Sequence, residues 1–356
     1  MKKSKNKEWT IITLLIMAAL LLGIVVMTVI IDPFFMYHAP TKPVGYTISN
    51  ENYQNPGIAR SFDYNAVVLG SSMVQNTSTQ QIDELFGVRS VKLTYSGAYA
   101  HNFKEIMDVV QLNAKVDRVI WGIDIYSLLQ SADETRNPLP NYLYDTNLLN
   151  DIEYVLNKDV LIKNVQVLRN ARANRSNTSI DNAYNWYAAN ESNFNSKAVI
   201  THYNNTRGGE NVMKPIDAYL EIVVQNLEQN IIPIIESNTN TEFIVFFPPY
   251  SILYWDNVKH QGDLYAYLYI EQILIEELLE YENVEVYYFQ QNEDIVCNIA
   301  NYKDITHYHP DVNRYLIEAM SEGQYQVTED TYMQVLENMR GMVENCDVEG
   351  LIAKYQ

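Results

Sequence analysis

Residues 66–72 read Ala66-Val67-Val68-Leu69-Gly70-Ser71-Ser72, an apolar run that stops at a glycine and two serines. Its β-branched content and its turn-forming end favour a buried strand over a piece of helix. A serine at a sharp turn after such a strand can present its hydroxyl above the edge of a sheet. The sequence therefore predicts the first strand of a sheet here, with Ser71 and Ser72 as candidate nucleophiles.

Further apolar runs predict four more strands, and amphipathic segments between them predict helices. The strands are expected at 91–95, 118–121, 243–247 and 284–289, and the clearest helices at about 99–113, 264–280 and 310–320. Strands that are apolar almost throughout and alternate with helices are typical of a parallel sheet with helices on both faces. The sequence thus predicts an α/β fold in three layers, α/β/α.

Several polar residues and glycines follow the ends of these predicted strands. Right-handed crossovers place the carboxyl ends of all parallel strands at one edge of a sheet, which is where such sheets bind ligands. Ser72, Gly97, Asp124 and residues 248–251 each lie just after a strand. Although they are far apart in the sequence, the topology is expected to bring them together.

The strand pattern stops between the third and fourth predicted strands. Residues from about 127 to 230 predict a mostly helical insertion, rich in Asn and Ser. It is either a lid or substrate groove over the active edge, or a structural elaboration without substrate contact. We expect an α/β domain at 64–321 that contains this insertion, an irregular lead-in at 32–63 and a helical, acidic tail at 322–356.

An uncharged apolar segment lies near the N-terminus, at 11–31. As a helix it would be about 30 Å long, which is enough to cross a bilayer. Four lysines lie in the preceding tail, 1–10, so the positive-inside rule predicts a cytoplasmic N-terminus and an extracytoplasmic catalytic domain. A cleaved signal peptide is the alternative, but its apolar region is usually shorter and ends in a small-x-small site. We predict an uncleaved, single-pass anchor in the cell membrane.

The composition excludes some classes of function. The 356 residues are 47% hydrophobic and carry a net charge of −19. A strongly acidic surface repels phosphate backbones, so we expect no nucleic-acid partner. Two cysteines, Cys297 and Cys346, are too few for a zinc site or a disulfide framework. They leave open one disulfide bridge or two free thiols.

A base for the serine is expected near the C-terminus, where residues 304–311 read Asp-Ile-Thr-His-Tyr-His-Pro-Asp. A serine hydroxyl is a weak nucleophile and needs such a base. A carboxylate three residues before a histidine can hold one ring nitrogen and leave the other to accept the serine proton. His307 and His309 could instead bind a metal with Asp304 or Asp311, but no third histidine is clustered with them. We predict neither a metal nor a cofactor.

Together, these motifs resemble the SGNH/GDSL hydrolases. Gly-x-Ser after the first strand and Asp-x-x-His before the last predicted core helix match the family's first and fifth blocks. Gly97 stands where the second block has a glycine, and Gly122-Ile123-Asp124 where the third has Gly-x-Asn. The membrane segment, the Gly-Ser-Ser triplet and the segment 248–251 resemble the envelope branch, which includes proteins for D-alanyl transfer to lipoteichoic acid and for polysaccharide O-acetylation.

The resemblance implies a flavodoxin-like parallel sheet and a role for each matched residue. Ser72 would be the nucleophile, His307 the general base and Asp304 its orienting acid. The backbone N–H groups of Ser72 and Gly97 would stabilise the oxyanion. Ser71 is the rival nucleophile, but the family pattern puts the nucleophile third in the triplet.

Asp124 departs from the family pattern, because the family's asparagine donates a hydrogen bond to the oxyanion and an ionised aspartate cannot. Three readings remain open. Asp124 is protonated by burial, or it points elsewhere and the hole has two donors, or the protein is inactive.

The resemblance implies a membrane-anchored serine esterase or O-acyltransferase that acts on acyl esters of a cell-envelope glycan or polymer, with a membrane-bound acyltransferase as a candidate partner. One alternative is an inactive protein of the same fold that binds glycan or that partner. Another is an unrelated α/β binding domain in which Ser72 and His307 lie beyond hydrogen-bond reach. The acyl group, the acceptor and the choice between hydrolysis and transfer stay open.

Overall fold

The computed structural model describes residues 2–41, 45–46, 50–173, 175, 179–209 and 212–355. Its α-helices, in chain order, are α1 (Lys2–Ile31), α2 (Glu51–Ser61), α3 (Thr79–Phe86), α4 (Ala100–Asn113), α5 (Ile125–Leu128), α6 (Ile152–Val155), α7 (Lys158–Arg172), α8 (Ile180–Tyr184), α9 (Ser196–Thr206), α10 (Asp217–Asn226), α11 (Ile232–Glu236), α12 (Ile252–His260), α13 (Leu264–Leu279), α14 (Glu293–Val296), α15 (Pro310–Ser321), α16 (Tyr332–Asn345) and α17 (Val348–Tyr355).

The strands form one mixed sheet. They are β1 (Ala66–Gly70), β2 (Ser90–Thr94), β3 (Arg118–Gly122), β4 (Glu242–Phe247), β5 (Val284–Tyr288) and β6 (Gln326–Val327). The strand order across the sheet is β2-β1-β3-β4-β5-β6. Pairing is parallel from β2 to β5, and β6 joins the edge in the antiparallel direction.

The register aligns the carboxyl ends of the parallel strands. Gly70 pairs with both Thr94 and Gly122, and Gly122 pairs with Phe246. Every residue of β1 is buried, as is all of β3 and β4 except the first residue of each. Because successive strand residues point to opposite faces, both faces of the central sheet are covered.

The predicted α/β fold is confirmed, and each of the five predicted strands is present. The sheet is nevertheless mixed, whereas the sequence predicted only parallel strands. β6 is two residues long, so it is too short to produce a hydrophobic pattern that sequence reasoning could detect.

Gly70 ends β1 at a point where any side chain would clash. Its φ of +147° is rarely adopted by other residues, and a Cβ would lie 2.7 Å from the carbonyl oxygen of Gly122 on the neighbouring strand. Glycine therefore lets the chain leave the sheet sharply into the Gly-Ser-Ser turn.

The chain divides into two compact units, 1–62 with 139–183, and 63–138 with 184–356. The predicted insertion at about 127–230 is thus shared between the two. The second unit contains the whole sheet. The predicted lead-in at 32–63 belongs almost entirely to the first unit, together with the N-terminal helix.

The first unit contains α1, whose segment Lys7–Ile31 is the one helix in the described part of the chain long and apolar enough to cross a membrane. A signal sequence would have the same properties. The end of α1 packs on α6 and α7. There the Thr28 hydroxyl donates to the Val155 carbonyl at 3.4 Å and accepts a hydrogen bond from the Asn164 amide at 3.0 Å. Within the part of α1 whose side chains are described, the buried residues, Thr28 and Ile31, lie near its C-terminal end.

Candidate active site

Ser72, His307 and Asp304 form a hydrogen-bonded chain at the carboxyl edge of the sheet. The Ser72 hydroxyl lies 2.9 Å from Nε2 of His307, and Nδ1 of His307 lies 2.9 Å from Oδ2 of Asp304. Both distances lie within the hydrogen-bond range expected for a nucleophile, a base and its orienting acid. Residues more than 230 positions apart are brought into this geometry by the sheet topology.

The segment that carries the base is a tight loop. Oδ1 of Asp304 accepts hydrogen bonds from the backbone N–H groups of Thr306 and His307, at 2.9 and 2.8 Å. Such a side-chain-to-backbone turn is typical of aspartate. It leaves Oδ2 to hold the imidazole, so the spacing Asp-x-x-His positions both groups.

A second contact fixes this loop to the sheet. Ser251, just after β4, donates from its hydroxyl and its backbone N–H to the carbonyl oxygen of Ile305, at 2.6 and 3.2 Å. The Tyr302 hydroxyl donates to the carbonyl oxygen of Pro249 at 2.8 Å. The segment 248–251 therefore positions the loop that carries Asp304 and His307. It lies at the carboxyl edge of the sheet, as the sequence predicted.

The two serines of the Gly-Ser-Ser turn differ in their surroundings. Ser71 is buried, and its hydroxyl caps the following turn by accepting the backbone N–H of Met73 at 3.2 Å. Ser72 is partly exposed and faces His307. Ser72 is thus the serine with access to both a base and a substrate.

The backbone N–H groups of Ser72 and Gly97 donate no hydrogen bond to any other residue that the structure describes. Both residues line one cavity of about 200 Å³. Gly97 has a φ of +63°, in the left-handed region that favours glycine. The two groups are available as hydrogen-bond donors to a ligand oxygen in this cavity.

Asp124 lines the same cavity. Its side chain is 4% exposed, and Oδ1 accepts a hydrogen bond from the Tyr250 hydroxyl. Oδ2 is buried and has no hydrogen-bond partner among the described residues. Burial raises the Asp124 pKa above its usual range, against the opposing effects of the Ser71 and Tyr250 hydroxyls and of His307. Its surroundings therefore favour the neutral form of this carboxyl group more than water does.

Asp304 has the opposite tendency. Burial by itself would raise its pKa, but hydrogen bonds from the His307 ring and backbone and from the Thr306 backbone, together with the charge of His307, outweigh burial. The pKa of Asp304 falls well below its ordinary value. One carboxyl group at this edge is held ionised beside the histidine, and the other is held toward the neutral form.

Trp186 is the main site residue that sequence reasoning missed. Its indole N–H donates to the Ser72 carbonyl oxygen at 3.0 Å, and its ring lies edge-on to His307 with centroids 5.4 Å apart. The Lys303 ammonium lies 4.4 Å from the centre of the same ring. Trp186 belongs to the predicted insertion. The only signal in the sequence is that a tryptophan occurs there among mostly polar residues. At this point the insertion contacts the site.

The alternative metal site is not assembled by these residues. The backbone N–H of Asp311 donates a hydrogen bond to Nδ1 of His309 at 3.1 Å, and Nε2 of His309 lies 3.0 Å from the Tyr187 hydroxyl. Both ring nitrogens of His309 therefore have partners within the protein. Among the described residues no group of three or more His, Cys, Asp or Glu side chains could hold a metal ion. Cys297 and Cys346 are free thiols.

The predicted site residues Ser71, Ser72, Gly97, Asp124 and His307 line the cavity together, and Asp304 contacts His307 from behind. No model of a known protein family matches the chain, and a search of curated proteins gives no significant match. The function is therefore inferred from this geometry.

Proposed function

We propose that this chain is a membrane-anchored serine esterase or O-acyltransferase of the SGNH type, acting on acyl esters of a cell-envelope glycan or polymer. The observation that carries the proposal is the hydrogen-bonded chain Ser72–His307–Asp304, which opens into a cavity with unengaged N–H donors. A serine at the end of a strand is usually only a turn residue. A serine 2.9 Å from a histidine that is itself held by an ionised carboxylate is equipped for acyl transfer.

The reaction has two halves. Ser72 Oγ attacks the ester carbonyl while its proton passes to Nε2 of His307, and the backbone N–H groups of Ser72 and Gly97 bind the resulting oxyanion. The tetrahedral intermediate then expels the alcohol, which takes the proton from His307 and leaves an acyl group on Ser72. In the second half, water or an acceptor hydroxyl gives its proton to His307 and attacks the acyl group, and the resulting tetrahedral intermediate expels Ser72 Oγ, which takes the proton back from His307.

The fold supports assignment to the SGNH type. Its parallel strands follow the order β2-β1-β3-β4-β5, which is the order of flavodoxin-like sheets. The candidate nucleophile follows β1 and the candidate base precedes α15, as the resemblance requires. The lysines at the N-terminal end of α1 support a cytoplasmic N-terminus and an extracytoplasmic site.

A polar acceptor is supported by a second cavity, of about 530 Å³, that borders Asp304 on the side of the insertion. The side chains around it are mostly neutral amides and hydroxyls or cations: Asn193, Asn195, Lys197, Thr201, His202, Asn205 and Lys303. Amide and hydroxyl groups match the hydroxyls of a sugar or polyol. This composition favours a polyhydroxyl acceptor over an apolar one.

Covalent labelling of the full-length chain in detergent tests the proposal. A fluorophosphonate is expected to modify Ser72, with the site identified by mass spectrometry of the labelled peptide. Ser71→Ala should still be labelled at Ser72, because the candidate nucleophile and its base are unchanged. An inactive protein of the same fold would carry no label at Ser72, so the absence of labelling would contradict the enzymatic proposal.

In this proposal Asp124 replaces the asparagine that donates a hydrogen bond to the oxyanion in the SGNH family. Because only the protonated form of Asp124 can donate, the labelling rate is expected to depend on pH. Protonated Asp124 donates from Oδ2 to the oxyanion, whereas the ionised form loses the donor and repels the oxyanion. We expect Asp124→Asn to label at a rate similar to wild type at neutral pH. The ratio of the variant's rate to the wild type's should rise as alkaline pH ionises Asp124.

Asp124→Ala is the control for this prediction, because it removes the donor at every pH. Its labelling rate should fall by about 10²-fold. The groups facing Asp124 are Ser71, Tyr250, Tyr254, Tyr308 and His307, and they are unchanged in both variants. An Asn-to-wild-type ratio that does not change with pH would contradict a protonated Asp124.

A further inference from the structure

The exposed face of α7 carries apolar and basic side chains side by side. Three apolar residues on it, Ile162, Val165 and Leu168, are 47, 44 and 41% exposed. The exposed cations on the same face are Lys158, Arg169 and Arg172. At about 100° per residue these six positions fall within an arc of roughly 120°. The exposed acid of the helix, Asp159, lies outside that arc.

The charge of this segment is opposite to that of the whole protein. Residues 158–175 contain five Lys or Arg and one Asp, whereas the chain carries a net charge of −19. The structure gives the three cations on the exposed face no ion-pair partner among the described residues. A helix with an apolar stripe flanked by unpaired Lys and Arg is typical of a surface that lies in a membrane interface.

The position of α7 beside α1 identifies what this face meets. On its opposite side α7 contacts the last turns of α1, through Asn164 to Thr28 and through Val167 to Ile31. A bilayer that contains the apolar segment of α1 ends near these turns. With α1 spanning a bilayer as proposed above, this contact places α7 next to the lipid head groups. Leu148 and Leu149, which precede α6 in the same unit, are also strongly exposed, at 77 and 87%.

We propose that the exposed face of α7 rests on the membrane surface and binds anionic phospholipid. The apolar side chains enter the boundary between head groups and acyl chains, and the long basic side chains reach the phosphates. This contact is independent of the catalytic proposal. It would hold the first unit against the bilayer rather than leave it on a flexible tether.

Spin-label depth measurements on the full-length chain in nanodiscs test this contact. A label is attached at Val165→Cys in a Cys297→Ser, Cys346→Ser background. The matched control is Gln166→Cys, an exposed neighbour outside the arc. In discs of mixed phosphatidylcholine and phosphatidylglycerol, the 165 label should have a several-fold higher ratio of accessibility to oxygen over a water-soluble nickel chelate than the 166 label. Equal, water-like accessibility at both positions would overturn the proposal.

The lipid selectivity is tested by the basic residues. Changing Arg169→Gln and Arg172→Gln together should move the 165 label toward water, as should discs of phosphatidylcholine alone. The 166 label reports in parallel whether the helix stays folded. If the 165 label is equally immersed with and without anionic lipid, and in the presence and absence of both arginines, the anionic-lipid part of the proposal is wrong.

Discussion

Replacing Ser72 with alanine is expected to lower the turnover of p-nitrophenyl acetate by a factor on the order of 10⁴ or more, because the variant cannot form an acyl-enzyme. The N–H donors and the cavity remain, so a small residual rate above the uncatalysed reaction should persist. His307→Ala should lose a comparable amount, since a serine without its base is a weak nucleophile. Steady-state rates with the full-length proteins in detergent would measure both effects.

Ser71→Ala is the matched control, since it removes a neighbouring hydroxyl of the same turn. Its turnover should stay within about tenfold of wild type, because the lost cap on Met73 affects local stability more than chemistry. Combining Ser72→Ala with His307→Ala should cost little more than either change alone, as is usual for residues that act as a unit. Additive losses, or a greater loss in Ser71→Ala than in Ser72→Ala, would contradict Ser72 as the nucleophile.

The central strands could be predicted because they are buried on both faces. Burial makes their sequences apolar throughout, as in Val67 to Leu69, and the turn residues that follow mark their ends. The topology predicted that Ser72, Gly97 and Asp124 would lie together, since parallel strands with right-handed crossovers leave their carboxyl ends at one edge, and all three line one cavity. Local turn chemistry then explains why Asp304 reaches His307.

Other features depend on contacts that have no local signature. Trp186 reaches Ser72 from a segment whose polar composition resembles an ordinary surface loop. The division into two units was hidden because residues 139–183 pack with the N-terminal segment rather than with their neighbours in sequence. The surroundings of Asp124 depend on Tyr250, 126 residues later. Long-range packing determines all three.

Asp304→Asn is expected to reduce ester turnover by about 10⁴-fold while the fold is retained. The asparagine oxygen can still accept the N–H groups of Thr306 and His307, but its amide would donate to Nδ1 of His307. The imidazole would then carry its proton on Nε2, facing Ser72, where it cannot act as a base. Turnover measured across neutral pH would report this loss.

Stability provides a second, pH-dependent readout of the same substitution. Because the pKa of Asp304 is depressed in the folded protein, its ionised form stabilises the fold above the pKa of the unfolded chain. That contribution disappears as pH falls through the lower, folded-state pKa. The midpoint of thermal unfolding of Asp304→Asn should therefore lie below that of wild type at neutral pH and approach it in acid.

Lys303→Met, which removes a cation 3.9 Å from Asp304, is the control for the turnover of Asp304→Asn, because it alters the charge nearby but leaves the His307 tautomer unchanged. If Lys303→Met lost as much turnover as Asp304→Asn, general electrostatics rather than orientation of the base would explain the role of Asp304.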